Sequence, residues 1–455
     1  MSQKIRDAFT KFIDRAVEKN YGLHSVILMK DGDKAAECFW KPYRPEYNHM
    51  LNSLSKSFTS VGSLFAMQEG LLSPDDLLTD IFPGYITCER MKKLKVRHLL
   101  TMTTGHESEP DAVFGCEDGV SAFMTSELKK EPGEYFLYNT PSTYMVSAVV
   151  KKVTGLPVFE YLRPRLFDKI GISKDVWWES CPRGIPYGGF GFNIKTEDIA
   201  LFGQFLLNRG SWNGEQLLDP KLIDTATSRQ TYSVGGGDWA CGYGWQFWIC
   251  QPRGTYRGDG AFGQYVLVMP EQNAVMAITS GTHDMQAVMT AIWEILLPVL
   301  NDEKCSSGDT LVLSRSLPTV NSDANSQPRD ALIGRPYQLF HNPLDINGIR
   351  VDSADKITLT IKGEERTIRA GSCEWIENDL GVDTPLSVPF RIMLTPHIAA
   401  TIGWWNDHTF ELLMACTRNA YVQKLNLKFA GDKVNGEFSQ NLAGPPINLG
   451  GCVLR

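Results

Sequence analysis

Ser53-Leu54-Ser55-Lys56 puts a hydroxyl and an amine three residues apart, at the point where a polar stretch gives way to an apolar one. On a helix, positions i and i+3 share a face, so Lys56 stands one turn above Ser53 and reaches its hydroxyl. A partly buried lysine gives up its proton more readily, because desolvation disfavours the charged form. The neutral amine can then take the serine proton and leave a nucleophile. A helix N-terminus adds its positive dipole end and its N–H groups near a developing oxyanion. So short a motif also recurs by chance. Ser126-Glu127-Leu128-Lys129 repeats the spacing but runs into Lys130-Glu131-Pro132-Gly133, a polar, helix-ending context, and Ser126 reads as a solvated surface serine. Ser53 differs because a helical stretch over 58–71 follows it. Val61, Leu64, Phe65 and Leu71 give that stretch a buried face, which sets the site beside a core.

The elements around this motif can be read from the pattern. Ile5, Phe9, Phe12, Ile13 and Val17 recur at helical spacing near the N-terminus. The run 24–29, the turn Asp31-Gly32-Asp33 and the run 35–40 predict a β-hairpin. Residues 72–190 mix short helices and loops, and 198–208 predicts an amphipathic helix stopped by Gly210. Strand patterns fill 242–280 and a strongly apolar helix fills 283–300, which together predict an α+β domain whose terminal helices pack on an antiparallel sheet. Ser, Asp, Asn and Pro dominate 301–335, which reads as a linker. From 336 to 455 short alternating segments with turn signals predict a β-rich barrel or sandwich; examples are 357–361, the alternation of Leu425, Leu427 and Phe429, and a hairpin at Trp404-Trp405-Asn406-Asp407. The expected domains are therefore 1–300 and 336–455.

The stretch LNSLSKSFTSVGSLFAMQEGLLSPDD resembles the first motif region of the class C β-lactamase-like serine hydrolases, a family that includes penicillin-binding-protein-like peptidases and esterases. Three further segments match in order. KVRHLLTMTTGH at 95–106 resembles the family's V-x-x-L-L-x-x-x-S/T-G segment, PGEYFLYNTPSTY at 132–144 resembles P-G-x-x-F-x-Y-S-N, and RGDGAFGQYVLVMP at 257–270 resembles the late strand that carries the third motif. The likeness spans residues 20–300. It implies a β-lactamase/transpeptidase-like domain, an antiparallel sheet flanked by helices with a helical subdomain, and no metal or organic cofactor. It implies that Ser53 is the nucleophile, with Lys56 and Tyr138 sharing its proton and passing it to the leaving group. A Tyr138 phenolate beside a Lys56 ammonium is the expected base, since an opposite charge lowers a phenol's pKa. Read from its apolar neighbours Phe136 and Leu137 alone, Tyr138 is a core tyrosine. Gly260 and Ala261 are expected to bring the strand backbone close to the substrate, one N–H there joining that of Ser53 in an oxyanion hole.

Two departures stand out. The family's Y-x-N becomes Tyr138-Asn139-Thr140, so either Asn139 or Thr140 is left to bond substrate or Lys56. The third motif, usually K-T-G or H-x-G, becomes Gly258-Asp259-Gly260-Ala261. A carboxylate at Asp259 repels a substrate carboxylate, which disfavours a β-lactam or a C-terminal D-alanine peptide and favours a neutral or amine-bearing ester or amide; Arg257 is the residue that can restore positive charge, and Asp259 reads equally as a turn residue. The aromatic run Trp245, Phe247, Trp248 reads as core and His106 as a loop histidine.

Three function classes follow: an esterase, amidase or aminopeptidase-like hydrolase; a β-lactamase or D,D-carboxypeptidase; and a non-catalytic binding protein of the same fold. A net charge of -7 without basic clusters argues against nucleic acid as partner. A small molecule or short peptide is the expected substrate. Scattered cysteines with no CxxC pair read as reduced core thiols, and the histidines include no HExxH. No apolar run of roughly 18 residues and no signal-peptide pattern is present, which gives the expectation of a cytoplasmic protein without a membrane span.

Overall fold

The computed structural model describes residues 1–85, 87–303, 309–320, 326–381, 395–442 and 444–453. The chain divides into two compact units, 1–38, 50–279 and 284–313 in the first and 39–49, 280–283 and 314–455 in the second.

The first unit is built on a seven-stranded sheet among the described residues. Its strands are β1 (Leu23–Lys30), β2 (Asp33–Lys41), β3 (Trp248–Ile249), β4 (Tyr256–Gly260), β5 (Gln264–Met269), β6 (Ala274–Ser280) and β7 (Leu311–Ser316), in the order β7-β2-β1-β6-β5-β4-β3. The hairpin between β1 and β2 turns through Asp31 and Gly32, both at positive φ, the backbone that suits the twist of the flanking strands. The pairs β3–β4, β4–β5 and β5–β6 are antiparallel. Every residue of β5 and β6 is buried, so both faces of the sheet centre are covered. The helix Thr196–Leu207 lies on β1 and β5, with Gly203 facing Val266 and Val275. The N-terminal helix Gln3–Glu18 packs against Met285–Ile295. Its Ile5, Phe9, Phe12 and Ile13 are wholly buried, whereas Val17, expected on the same face, is 49% exposed near the last turn.

The helix that carries Lys56 runs over Ser55–Gln68, earlier than the 58–71 the pattern predicts. It is buried from Ser55 to Ala66. Its hydroxyls are what the apolar pattern hides: Ser57, Thr59 and Ser60 donate to the carbonyls of Gln246, Gly188 and Trp245 at 3.0, 2.8 and 2.7 Å. Hydrogen-bonded in this way, polar residues can be buried at little cost. Leu71 is 45% exposed, since the helix has already ended before Gly70 at positive φ. The helix Thr140–Thr154 packs alongside and heads the helical subdomain.

The segment read as a linker includes β7, and a short 3-10 turn at Asp330–Leu332; its residues 304–308 and 321–325 lie outside the described residues. The second unit holds a ten-stranded antiparallel sheet among the described residues. Consecutive strands pair throughout, with one gap, and the first, Pro336–Leu339, pairs with the last, Ile447–Val453. This makes a nearly closed barrel rather than a sandwich. The gap falls between Glu364–Arg369 and Ile376–Asp379. The Asn378 side chain spans it, accepting from the Arg369 N–H at 2.8 Å and donating to its carbonyl at 2.8 Å. Ile349, Val351, Leu359, Phe410, Leu425 and Phe438 belong to its interior. Trp404 and Phe410 face one another across the hairpin that joins His397–Asn406 to Thr409–Cys416.

Cys38, Cys181, Cys250 and Cys416 are buried free thiols; Cys88 and Cys241 are half-buried, and Cys116, Cys373 and Cys452 are exposed, so the core reading holds for only part of the set. Among the described residues no helix is long and apolar enough to cross a membrane.

Candidate active site

Ser53 sits in a 3-10 turn, Asn52–Leu54, immediately before the buried helix. Asn52 holds positive φ, a conformation asparagine tolerates, and its side chain donates to the Ala261 carbonyl at 2.9 Å. That bond ties the turn to the end of β4. Contact here is close enough to require glycine. A Cβ on Gly260 would lie 2.0 Å from the Leu51 carbonyl oxygen and 3.1 Å from the Ser53 nitrogen. Gly260 and Ala261 therefore do lie against the serine backbone. The Ala261 carbonyl also accepts from Gln264 Nε2 at 3.1 Å, which fixes the peptide that follows β4.

The Lys56 amine is buried and donates to Ser53 Oγ at 3.0 Å, to the Gly189 carbonyl at 3.0 Å and to Thr140 Oγ1 at 3.3 Å. Burial pushes its pKa down to about 7, against the opposing pull of Glu109 and Asp259. Tyr138 stands over the amine, its ring centroid 4.9 Å from Nζ, and Ser53 is near enough to pull the phenol's pKa down against its burial. Burial raises the phenol well above its ordinary pKa, and the negative Asp259 raises it further. This corrects the phenolate expected from the sequence: near neutrality the pair is an amine that can be neutral and a phenol that keeps its proton.

Asn139 is placed otherwise than expected. Its Oδ1 caps the helix Thr140–Thr154, accepting from Ser142 N at 2.9 Å and from the Ser142 hydroxyl, while Nδ2 donates to the Leu137 carbonyl at 2.9 Å. With its amide spent on the cap, Thr140 is the residue of the two that meets Lys56. The Thr140 N–H, an orphan donor of the first helical turn, goes to Glu109 Oε1 at 2.7 Å. Glu109 is exposed, and the sequence reading did not single it out. Its loop carries no motif; only the fold brings it beside the site.

Asp259 is buried and paired, its Oδ2 2.9 Å from Arg257 Nε. Burial raises its pKa, and Arg257 pulls the other way. Arg257 is completely buried, with Trp239 on one side, centroid 4.8 Å from Cζ, and Trp248 at 5.7 Å. Trp248 stacks on Tyr138 with centroids 5.4 Å apart and planes 25° apart. Of the aromatic run read as core, Trp245 and Phe247 are core, and Trp248 joins the core to the site.

The lysine of the second S-x-x-K is exposed, but its serine is not the solvated residue expected. Ser126 is half-buried, donates to the Phe123 carbonyl at 2.6 Å and lies 2.8 Å from His106 Nε2, while Lys129 pairs with Glu127. His106, also bonded to Thr104 Oγ1 at 2.8 Å, is buried and its pKa is pushed down to about 4. It is a neutral staple between two loops.

A beta-lactamase family model matches residues 9–297. The 6-aminohexanoate-dimer hydrolase of Paenarthrobacter ureafaciens is 24% identical over 324 residues, covering 65% of this chain and 79% of that protein. Among solved structures, EstCE1, a hydrolase with promiscuous acyltransferase activity, superposes with a TM-score of 0.54 at 16% identity, covering 66% of this chain and 99% of that one. The octameric penicillin-binding protein homologue from Pyrococcus abyssi gives a TM-score of 0.52 at 16% identity and covers 98% of this chain and 100% of that one.

Proposed function

Because the chain belongs to the beta-lactamase family of serine hydrolases, we propose that it cleaves an ester or amide bond through an acyl-serine intermediate formed on Ser53. The observation that carries this reading is the buried Lys56 amine 3.0 Å from Ser53 Oγ, with burial pushing its pKa down to about 7. Neutral Lys56 takes the Ser53 proton as the oxygen attacks the carbonyl carbon. The carbonyl electrons move onto its oxygen, and the N–H groups of Ser53 and Ala261 are the donors proposed to receive it. As the intermediate collapses, Tyr138 gives its proton to the leaving group and recovers one from the Lys56 ammonium. Water then attacks the acyl-serine by the same route, its proton passing through Lys56, and Ser53 is restored as the acid departs.

The charge around the site supports a neutral or amine-bearing substrate. Glu109 and Asp259 flank Lys56, and the cation at the third motif, Arg257, is buried and already paired. With Arg257 buried against Asp259 and two carboxylates near Lys56, the charge among the described residues disfavours a substrate carboxylate, and with it a β-lactam or D,D-peptide. The relative named for hydrolysing a 6-aminohexanoate dimer fits an amine-bearing amide, although that dimer also ends in a carboxylate.

The test is labelling with a fluorophosphonate, located by peptide mass spectrometry, together with turnover of p-nitrophenyl esters and nitrocefin. Labelling of Ser53, ester turnover lost in Ser53→Ala and little nitrocefin turnover are expected. An unlabelled Ser53, or a Ser53→Ala protein that keeps its ester turnover, would overturn the reading.

A further inference from the structure

The third-motif strand carries a feature that the proton transfers above do not use. Arg257 and Asp259 alternate on β4 and so share a face, and both are buried. The guanidinium gives Nε to Asp259 at 2.9 Å, and Nη1 donates to the Ile249 carbonyl and Cys250 Sγ at 3.4 Å each and to the Asp238 carbonyl at 3.5 Å; Nη2 meets no acceptor among the described residues. A buried arginine satisfied so incompletely by hydrogen bonds is held instead by the ring faces of Trp239 and Trp248. Trp239 is fixed in turn. The preceding residue, Asp238, is fully buried and accepts from Gln251 N, Gln286 Nε2 and Trp293 Nε1 at 2.8, 2.8 and 3.1 Å, which ties the turn to the helix Met285–Ile295. Trp239 also lies near enough to Asp259 to lower its pKa against burial. The layers therefore run from Trp239 through Arg257, Trp248 and Tyr138 to the Lys56 amine.

We propose that Arg257 is a positioning residue: clamped between two tryptophans, it cancels the charge of Asp259 beside the Lys56 amine and, through Trp248, holds the Tyr138 ring in register with Ser53. This rests on the reading of Ser53 as nucleophile and Lys56 as its base. The physical reason is the electrostatics of a buried site, where an uncompensated carboxylate favours the ammonium form of a nearby lysine. With Arg257 in place, the amine is free to be neutral and accept a proton. The groups that face Lys56 are Tyr138 from the loop before Thr140–Thr154, Glu109 from its own loop and Asp259 from β4. Asp259 also faces the buried phenols of Tyr243 and Tyr265, both held protonated by burial.

The test is the pH dependence of the fluorophosphonate labelling rate at Ser53 in four proteins. In the unaltered chain the rate is expected to rise through the Lys56 pKa. Arg257→Gln leaves Asp259 unpaired, and the rise is expected to move upward by about one pH unit. Asp259→Asn leaves Arg257 unopposed, and the rise is expected to move downward. Arg257→Gln combined with Asp259→Asn is expected to return close to the starting midpoint, at a rate lowered by the loosened stack. Shifts of opposite sign that cancel in the double variant are not produced by general loosening of the fold. If Arg257→Gln does not fold, the downward shift in Asp259→Asn alone decides. Unmoved midpoints in variants that still label would overturn the proposal. Failure of the unaltered chain to label Ser53 would instead overturn the nucleophile reading on which it stands.

Discussion

At the scale of single residues, the site depends on a lysine kept in the wrong solvent for its charge. The pKa of Lys56 is 10.5 in an unfolded chain and about 7 in the folded one. Between those values the unfolded chain holds a proton that the folded chain lacks, so folding stability from this group rises with pH across that window. Below about 7 both states are protonated and the burial penalty stands in full. Lys56→Met is therefore expected to raise the melting temperature below pH 7 while cutting ester turnover by roughly 10²-fold or more, the usual worth of a positioned base. Thermal melts and initial rates on one preparation check both; a lower melting temperature would contradict the assignment of strain to the amine. Ser53, Lys56 and Tyr138 were legible because motif spacing and segment order survive in the sequence. Asn139 and Thr140 stayed alternatives in the sequence because what separates them, helix capping by Asn139, depends on where Thr140–Thr154 starts. Glu109, Asp238 and Trp239 carried no signal, since only tertiary structure brings Glu109 to Thr140 and Lys56 and the other two to β4.

At the scale of elements, the distance between the Ser53 turn and β4 is set by backbone contact. Gly260→Ala places a methyl carbon 2.0 Å from the Leu51 carbonyl oxygen, so the turn must move. A displacement near 1 Å costs on the order of 10²-fold in rate. The expected outcome is a folded protein by circular dichroism whose Ser53 labelling rate falls by about that factor; an unchanged rate would show that the strand is not held as described. The elements themselves were readable where periodicity was strong, as in the N-terminal helix, the first hairpin and the helix over Thr196–Leu207. The apolar pattern marks the nucleophile helix only from Phe58 because Ser55, Lys56 and Ser57 do not look buried, although the fold satisfies all three. Gln246 is a similar case: a residue at positive φ whose side chain serves Thr143 and the carbonyls of Leu99 and Leu100, with nothing in its neighbours to announce it.

At the scale of the whole molecule, the two compact units draw on different kinds of order. The β-rich character of the second was plain from alternating segments. Whether they close into a barrel was not, because closure rests on pairing Pro336–Leu339 with Ile447–Val453 across the full length of the unit. The remaining seam is spanned by Asn378. Asn378→Ala removes both of these exposed bonds and is expected to cost about 0.5–1.5 kcal/mol locally. Amide hydrogen exchange should quicken in Glu364–Arg369 and Ile376–Asp379 while ester turnover is retained. Exchange that stays slow at the seam would mean that neighbouring pairs close it unaided.

The pairing of Arg257 with Asp259 also bears on how this chain could drift toward other substrates. The family pattern this stretch resembles offers a lysine or histidine before a glycine, where this chain has Gly258-Asp259-Gly260; a substrate carboxylate would call for such a cation beside the arginine. Writing that residue in alone would set a second cation against an arginine with no counterion, inside a wall of indoles. Removing Arg257 first would strand a carboxylate in the same place. Either single step passes through a charged, unbalanced intermediate, so a lineage with this arrangement is held on its side of a two-mutation valley.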